Sequence, residues 1–214
     1  MGVPFGRLVC ASNRNNVLTD FLRTGVYDRN REFFATESPS MDILISSNLE
    51  RLLFDLCGSD EVIRGWFGAL ASDGRYEVND AVKARLADEF FGGFCDDSET
   101  RDVIGRTFAE YGYICDTHTG VAVKVFEDYR RATGDTRKTI IASTASPYKF
   151  NDSVLASVTA GEIPADPFDQ AEKLCALTGL PMPRSLKELK GKPVRITGSI
   201  AREEMADVVK KMLK

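Results

Sequence analysis

The amino-acid sequence predicts a helix-rich α/β chain with an incomplete parallel sheet covered by helices, and three observations support this. Residues 7–11 (RLVCA) and 139–143 (TIIAS) are short apolar runs that open into polar residues, as buried parallel strands do. Most of the chain between and after them carries helical periodicity, punctuated by glycines and capping residues. The two strands are too few and too far apart for an independent doubly wound sheet, whose strands alternate with helices, so the remaining strands are expected upstream.

Taken in order, residues 7–11 form the first strand. Val17, Leu18, Phe21 and Leu22 then recur at helical spacing, and Gly25 closes that helix. Residues 26–37 lose periodicity and read as a loop. Ser38-Pro39-Ser40 is expected to start a long helix with Met41, Leu44, Ile45, Asn48, Leu49, Leu52, Leu53 and Leu56 on one face, stopped by Gly58. Asn48 on that apolar face would need a hydrogen-bond partner if buried. Asp60 is expected to cap a helix through Leu70, followed by an Asp73-Gly74 turn and a short extended piece at 75–78. A helix over 80–91 should break at Gly92-Gly93, and Ser98 should cap the next, with Val103, Ile104, Thr107, Phe108 and Tyr111 facing inward. Residues 117–132 form a further helix closed by Gly134, and 139–143 the second strand, β-branched at its centre. Helices over 150–158, 168–177 (ended by Gly179) and 203–213 complete the chain. No repeat or low-complexity linker appears, and 1–214 is expected to be one compact unit.

Composition bounds the function. A 23.6 kDa chain with 43% hydrophobic residues can bury a core. A net charge of -4 with interspersed signs argues against a nucleic-acid surface. The five cysteines form no C-x-x-C pair, so neither a disulfide framework nor a zinc site is expected, and they read as buried thiols of a reducing cytoplasm. The start of the chain is too short and interrupted in its apolar run for a signal peptide, Gly6 occupies the position where myristoylation needs Ser or Thr, and no apolar run is long enough to span a bilayer.

Two stretches carry a resemblance. Residues 15–56 (NNVLTDFLRTGVYDRNREFFATESPSMDILISSNLERLLFDL) and 140–150 (IIASTASPYKF) resemble, in order and spacing, the second half of threonine synthase. The resemblance implies the tryptophan-synthase-β-like fold of pyridoxal-phosphate enzymes (fold type II), with this chain as the C-terminal portion. It begins downstream of the family's Gly-Asn-Phe-Gly phosphate loop and of the lysine that forms the Schiff base with the cofactor. Met1 is then read as an internal methionine used as a start. The complete enzyme would convert O-phospho-L-homoserine and water to L-threonine and phosphate. The isolated chain is expected to be inactive, not to bind pyridoxal phosphate alone, and to expose apolar surface that favours self-association. Its partner would be the N-terminal half of the enzyme. The alternative is a non-catalytic interaction module or one half of a split enzyme.

Ser143-Thr144-Ala145-Ser146-Pro147 follows the second strand, where ligands of open α/β sheets gather. Read from the residues alone, it caps the following helix. By the resemblance, Thr144 bonds the pyridine nitrogen of pyridoxal phosphate, and Ser146 stands where other members carry His. His118, the only histidine, has no companions at metal-ligand spacing and reads either as a structural hydrogen-bonding residue or, by the resemblance, as a substrate-side residue. By the resemblance, Asp42, Ser46 and Ser47 belong to the family's Ser-Met-Asp-Ile block and are expected to be architectural. Arg23, Arg29 and Arg31 form a basic cluster that could hold a phosphate but more often lines a solvated loop. By the resemblance, Lys149 matches a separate motif residue after the pyridine-binding threonine and not the Schiff-base lysine, so no catalytic residue is expected in this chain, and no metal site is expected either.

Overall fold

The computed structural model describes residues 4–195 and 197–213; Met1 lies outside the described residues. The backbone groups into two units, Met1–Pro181 and Met182–Lys214. In the second, none of the described residues is buried. It contains the short α9 (Arg184–Lys187) and α10 (Met205–Met212), the latter preceded by a 3-10 turn at Arg202–Glu204.

The first unit is built around one parallel strand pair. β1 (Leu8–Ser12) runs alongside β4 (Phe90–Phe94), in register from Leu8 opposite Phe90 to Ser12 opposite Phe94. Between them come α1 (Val17–Thr24), β2 (Val26–Asp28), α2 (Leu49–Cys57), α3 (Asp60–Ser72), β3 (Arg75–Glu77) and α4 (Asp80–Glu89). After β4 follow α5 (Asp97–Tyr111), α6 (Thr117–Thr133), α7 (Asn151–Val158) and α8 (Pro167–Thr178). β2 and β3 pair antiparallel, which stacks Tyr27 on Tyr76 with ring centroids 5.3 Å apart. Around that pair Val17, Phe21, Leu53, Val82 and Leu86 form the core of this region. Val103, Ile104, Val121, Val125, Val154, Leu155 and Leu174 are buried among the later helices.

Glycines at α1, α2, α6 and α8 end their helices in the left-handed conformation, as anticipated for Gly25, Gly58, Gly134 and Gly179. Gly92-Gly93 do something else. They lie inside β4, where an expected helix break gives way to a strand. Neighbouring strand residues face opposite sides of a sheet. A Cβ on Gly92 would meet the Thr19 backbone of α1 at 3.0 Å, and one on Gly93 would meet Val125 Cγ1 of α6 at 2.6 Å. The two glycines thus let helices approach both faces of β4.

Other expectations are corrected by tertiary bonding. The helix expected from Met41 begins only at Leu49, because the preceding backbone is claimed elsewhere. Asp42 accepts from the Thr36 amide at 3.0 Å, and Tyr27 donates its hydroxyl to Leu44 O (3.1 Å) while accepting from the Ser46 amide (2.9 Å). Asn48 is therefore exposed at the start of α2 rather than on a buried face. Within the expected loop 26–37, residues Val26–Asp28 form β2 because β3 supplies a ladder. Ser59, not Asp60, caps α3 by accepting from the Val62 amide. Asp96, not Ser98, caps α5, in a capping box with Glu99. Tyr111, expected inward, is 71% exposed.

The second expected strand, 139–143, has no strand conformation and no ladder among the described residues. Ile140 is 83% exposed. A β-branched run becomes a strand only when another strand satisfies its backbone groups.

Candidate functional site

β1 and β4 end side by side at Ser12 and Phe94, and the chain beyond them builds a dense polar layer. This is the end of a parallel sheet at which ligands bind. Asn13 and Asn15, both buried, follow β1 directly. The Asn13 amide nitrogen lies 2.7 Å from Thr36 Oγ1, 2.7 Å from Asp42 Oδ1, 3.1 Å from Ser38 Oγ and 3.3 Å from Ser38 O, so its two hydrogens are shared among four acceptors. Its carbonyl accepts from the Asn15 amide (2.9 Å), and Asn15 in turn bonds both backbone groups of Phe34 (2.9 and 2.8 Å). Asp42 also accepts from Asn15 Nδ2 at 3.1 Å and from the Thr36 hydroxyl at 2.7 Å. The architectural reading of Asp42 agrees with this network. The asparagines were not singled out in the sequence, although a polar Asn-x-Asn directly after a buried strand is the signal that marks them.

The segment held by this layer passes through the 3-10 turn Pro39–Met41 to α6. The Ser40 amide donates to His118 Nε2 at 3.1 Å. His118 Nδ1 lies 3.2 Å from the Asp116 carboxylate, which is fully buried and also accepts from the His118 amide (2.9 Å) and from the Thr119 hydroxyl. Asp116 is the N-cap of α6. The Phe150 ring packs against the imidazole with centroids 4.8 Å apart.

From Thr119 the network reaches the Ser-Thr segment. The Ser143 hydroxyl lies 3.0 Å from that of Thr119 and 3.4 Å from that of Tyr113. Thr144, one residue on, is exposed, and its hydroxyl takes no partner among the described residues. Ser146 accepts from the Tyr148 amide (3.3 Å) and caps the following 3-10 turn, Pro147–Phe150. Lys149 is exposed, its ammonium 5.3 Å from the centroid of the Phe150 ring. His118 and Ser143 are thus joined through Asp116 and Thr119, with Thr144 at the edge of the same cluster.

Beside the turn, Glu37 pairs with Arg101 at 2.9 Å while its other carboxylate oxygen is buried without a partner. Burial pushes the Glu37 carboxyl above the usual range, with Arg101 opposing. The basic cluster does not converge. Arg23 donates to Gly92 O, Arg29 to Ala71 O, and Arg31 to Asn16 and Asp20. All five cysteines are free thiols, and burial pushes Cys95 up to about 11 and Cys115 up to about 12. Among the described residues no cluster of His, Cys, Asp and Glu could hold a metal ion.

A surface cavity of about 630 Å³ lies elsewhere, against Arg7 before β1. Two of its charges satisfy each other, since Asp135 takes Arg137 at 2.6 Å and the Tyr129 hydroxyl at 2.6 Å. Chemistry is better served by the polar cluster beyond Ser12.

Comparison with known proteins identifies the family. The family profile described as threonine synthase, C-terminal, matches residues 119–211. Threonine synthase-like 1 of Homo sapiens is 38% identical over 183 residues, which is 85% of this chain and 24% of that protein. The crystal structure of threonine synthase from yeast superposes with a TM-score of 0.82 at 28% identity, over 100% of this chain and 43% of that one. A pyridoxal-phosphate-bound threonine synthase from Brucella melitensis gives 0.69 at 34% identity, over 84% of this chain and 37% of that one. The chain therefore spans less than half the length of each of these three proteins. The backbone is that of fold type II pyridoxal-phosphate enzymes, and the chain belongs to the threonine synthase family as its C-terminal portion.

Proposed function

We propose that residues 1–214 supply the C-terminal part of a pyridoxal-phosphate-dependent lyase that converts O-phospho-L-homoserine and water to L-threonine and phosphate. The observation that carries this reading is the family membership, together with the separation of two adjacent hydroxyls. Ser143 is committed to Thr119 and Tyr113, while Thr144 presents a free hydroxyl. A free hydroxyl acceptor-donor fits a pyridine nitrogen, so Thr144 would hold the cofactor ring. Among the described residues nothing matches the Gly-Asn-Phe-Gly phosphate loop or the Schiff-base lysine, and both would come from the N-terminal half of the enzyme. When bound, pyridoxal phosphate supplies the electron sink for eliminating phosphate and adding water. A neutral partner such as Thr144 leaves its ring nitrogen unprotonated, which moderates that sink. His118 would lie on the substrate side of the cluster.

The setting is a reducing compartment such as the cytoplasm, consistent with five free thiols and with no helix among the described residues long and apolar enough to cross a membrane. No nucleic-acid or membrane partner is proposed.

The test compares this chain with a protein that also carries the upstream region. Phosphate release from O-phosphohomoserine is expected only from the longer protein, and borohydride reduction in the presence of pyridoxal phosphate should label no lysine of residues 1–214 stoichiometrically. Specific labelling of Lys149 would overturn the assignment. A longer protein that binds the cofactor but releases no phosphate would favour the non-catalytic interaction module.

A further inference from the structure

We propose that His118 is the neutral hydrogen-bond acceptor that seats the 38–41 turn over the carboxyl end of the parallel strands, with Asp116 as its positioning residue. A backbone N–H can only donate, so the Ser40 amide 3.1 Å from Nε2 requires an unprotonated nitrogen there. A neutral imidazole carries its one proton on the other nitrogen. That nitrogen, Nδ1, is 3.2 Å from a fully buried carboxylate, that of Asp116, which can only accept. The two contacts therefore specify the same tautomer from opposite sides of the ring. Asp116 is itself fixed by the His118 amide, the Thr119 amide (3.4 Å) and the Thr119 hydroxyl.

The turn is bound at its other end as well, because the Asn13 amide reaches Ser38 Oγ and Asp42 holds the chain after the turn. His118 closes that connection from α6. While the turn is seated, Nε2 has no lone pair free to take a proton from a substrate. The imidazole thus acts on the site through the turn, and proton abstraction by His118 and seating of the turn exclude each other. The neighbouring charges are Asp116 on the same helix and Lys149, whose ammonium stands over the Phe150 ring that packs on the imidazole. This goes beyond the proposed reaction, which leaves the role of His118 open.

Because His118 is the only histidine, ring-nitrogen NMR of the ¹⁵N-histidine-labelled chain gives a single, unambiguous spectrum. The expected result for the neutral ring is the Nδ1–H tautomer, with Nε2 pyridine-like. The Ser40 amide should exchange with deuterium about tenfold faster in His118→Phe, the factor expected for the loss of one hydrogen bond. His118→Gln, which retains an acceptor, should restore part of the protection. Asp116→Asn keeps an N-cap acceptor but removes the charge facing Nδ1, so it should raise the Nε2–H population and speed Ser40 exchange with helicity unchanged. A wild-type Nε2–H tautomer would overturn the proposal even if a variant failed to fold, as would unchanged Ser40 exchange in folded His118→Phe. None of these readouts involves cofactor or substrate, so failure here is distinct from failure of the proposed reaction.

Discussion

Ser143 and Thr144 are chemically alike and adjacent, yet among the described residues only the first has hydrogen-bond partners. The difference separates stability from function. Ser143→Ala removes a hydroxyl from the Thr119–Tyr113 cluster and should lower the stability of the chain by about 0.5–1.5 kcal/mol in urea denaturation. Thr144→Val should leave that stability within about 0.5 kcal/mol of wild type, since its site is exposed and unbonded. In the longer protein the order should reverse, with Thr144→Val weakening cofactor binding more than Ser143→Ala. A Thr144→Val chain as destabilised as Ser143→Ala would mean that the Thr144 hydroxyl is structural.

At the scale of elements, α5 and β4 depend on single residues. Asp96 caps α5 by accepting from the Glu99 amide at 2.9 Å and the Ser98 hydroxyl at 2.7 Å, and these bonds hold its carboxyl below the usual 3.8. A carboxyl depressed in the folded state contributes its stability above the unfolded value and loses it as pH falls through the lower folded value. Asp96→Ala should therefore cost about 1 kcal/mol at pH 7, and the gap to wild type should shrink below about pH 4. Urea titrations at pH 7 and pH 3 measure both, and a gap unchanged by pH would remove the charged cap as its source. In β4, Gly93→Ala forces a methyl to within 2.6 Å of Val125 Cγ1. Overpacking of this kind should cost about 1–3 kcal/mol, and Val125→Ala in the same chain should recover part of it, a coupling that a double-mutant cycle reads directly.

The whole first unit has a parallel pair whose strands have no other neighbours among the described residues. Parallel strands are ordinarily covered on both faces and continued by further strands. Leu8 at the start of β1 is 49% exposed, Phe94 at the end of β4 42%, and Ile140 83%. The isolated chain should accordingly bind a hydrophobic dye and self-associate as concentration rises, and the upstream region should suppress both. Sedimentation and dye fluorescence provide the measurement. A strictly monomeric chain with no dye response would show that these surfaces need no cover.

The sequence by itself determined the elements whose signals are local. Helix α1 and its Gly25 stop, α6 with Gly134 and α8 with Gly179 follow from periodicity and from the freedom of glycine to take a positive φ. The 15–56 and 140–150 motifs also placed the chain in its family before any contact was known. Tertiary structure decided whatever depends on partners distant in sequence. Residues 42–46 leave the helical pattern because the Tyr27 hydroxyl bonds the Leu44 carbonyl and the Ser46 amide and the Asp42 side chain is held by Thr36, and Gly92-Gly93 enter a strand because β1 lies beside them. Asn13 and Asn15 follow a buried strand, a signal present in the sequence, but their partners at Thr36, Ser38 and Asp42, and the complete burial of Asp116 beneath His118 and Thr119, are visible only in the fold. Residues 139–143 show the same dependence in reverse. Their composition is that of a strand, but a ladder requires a second backbone to bond, and the described chain places none beside them.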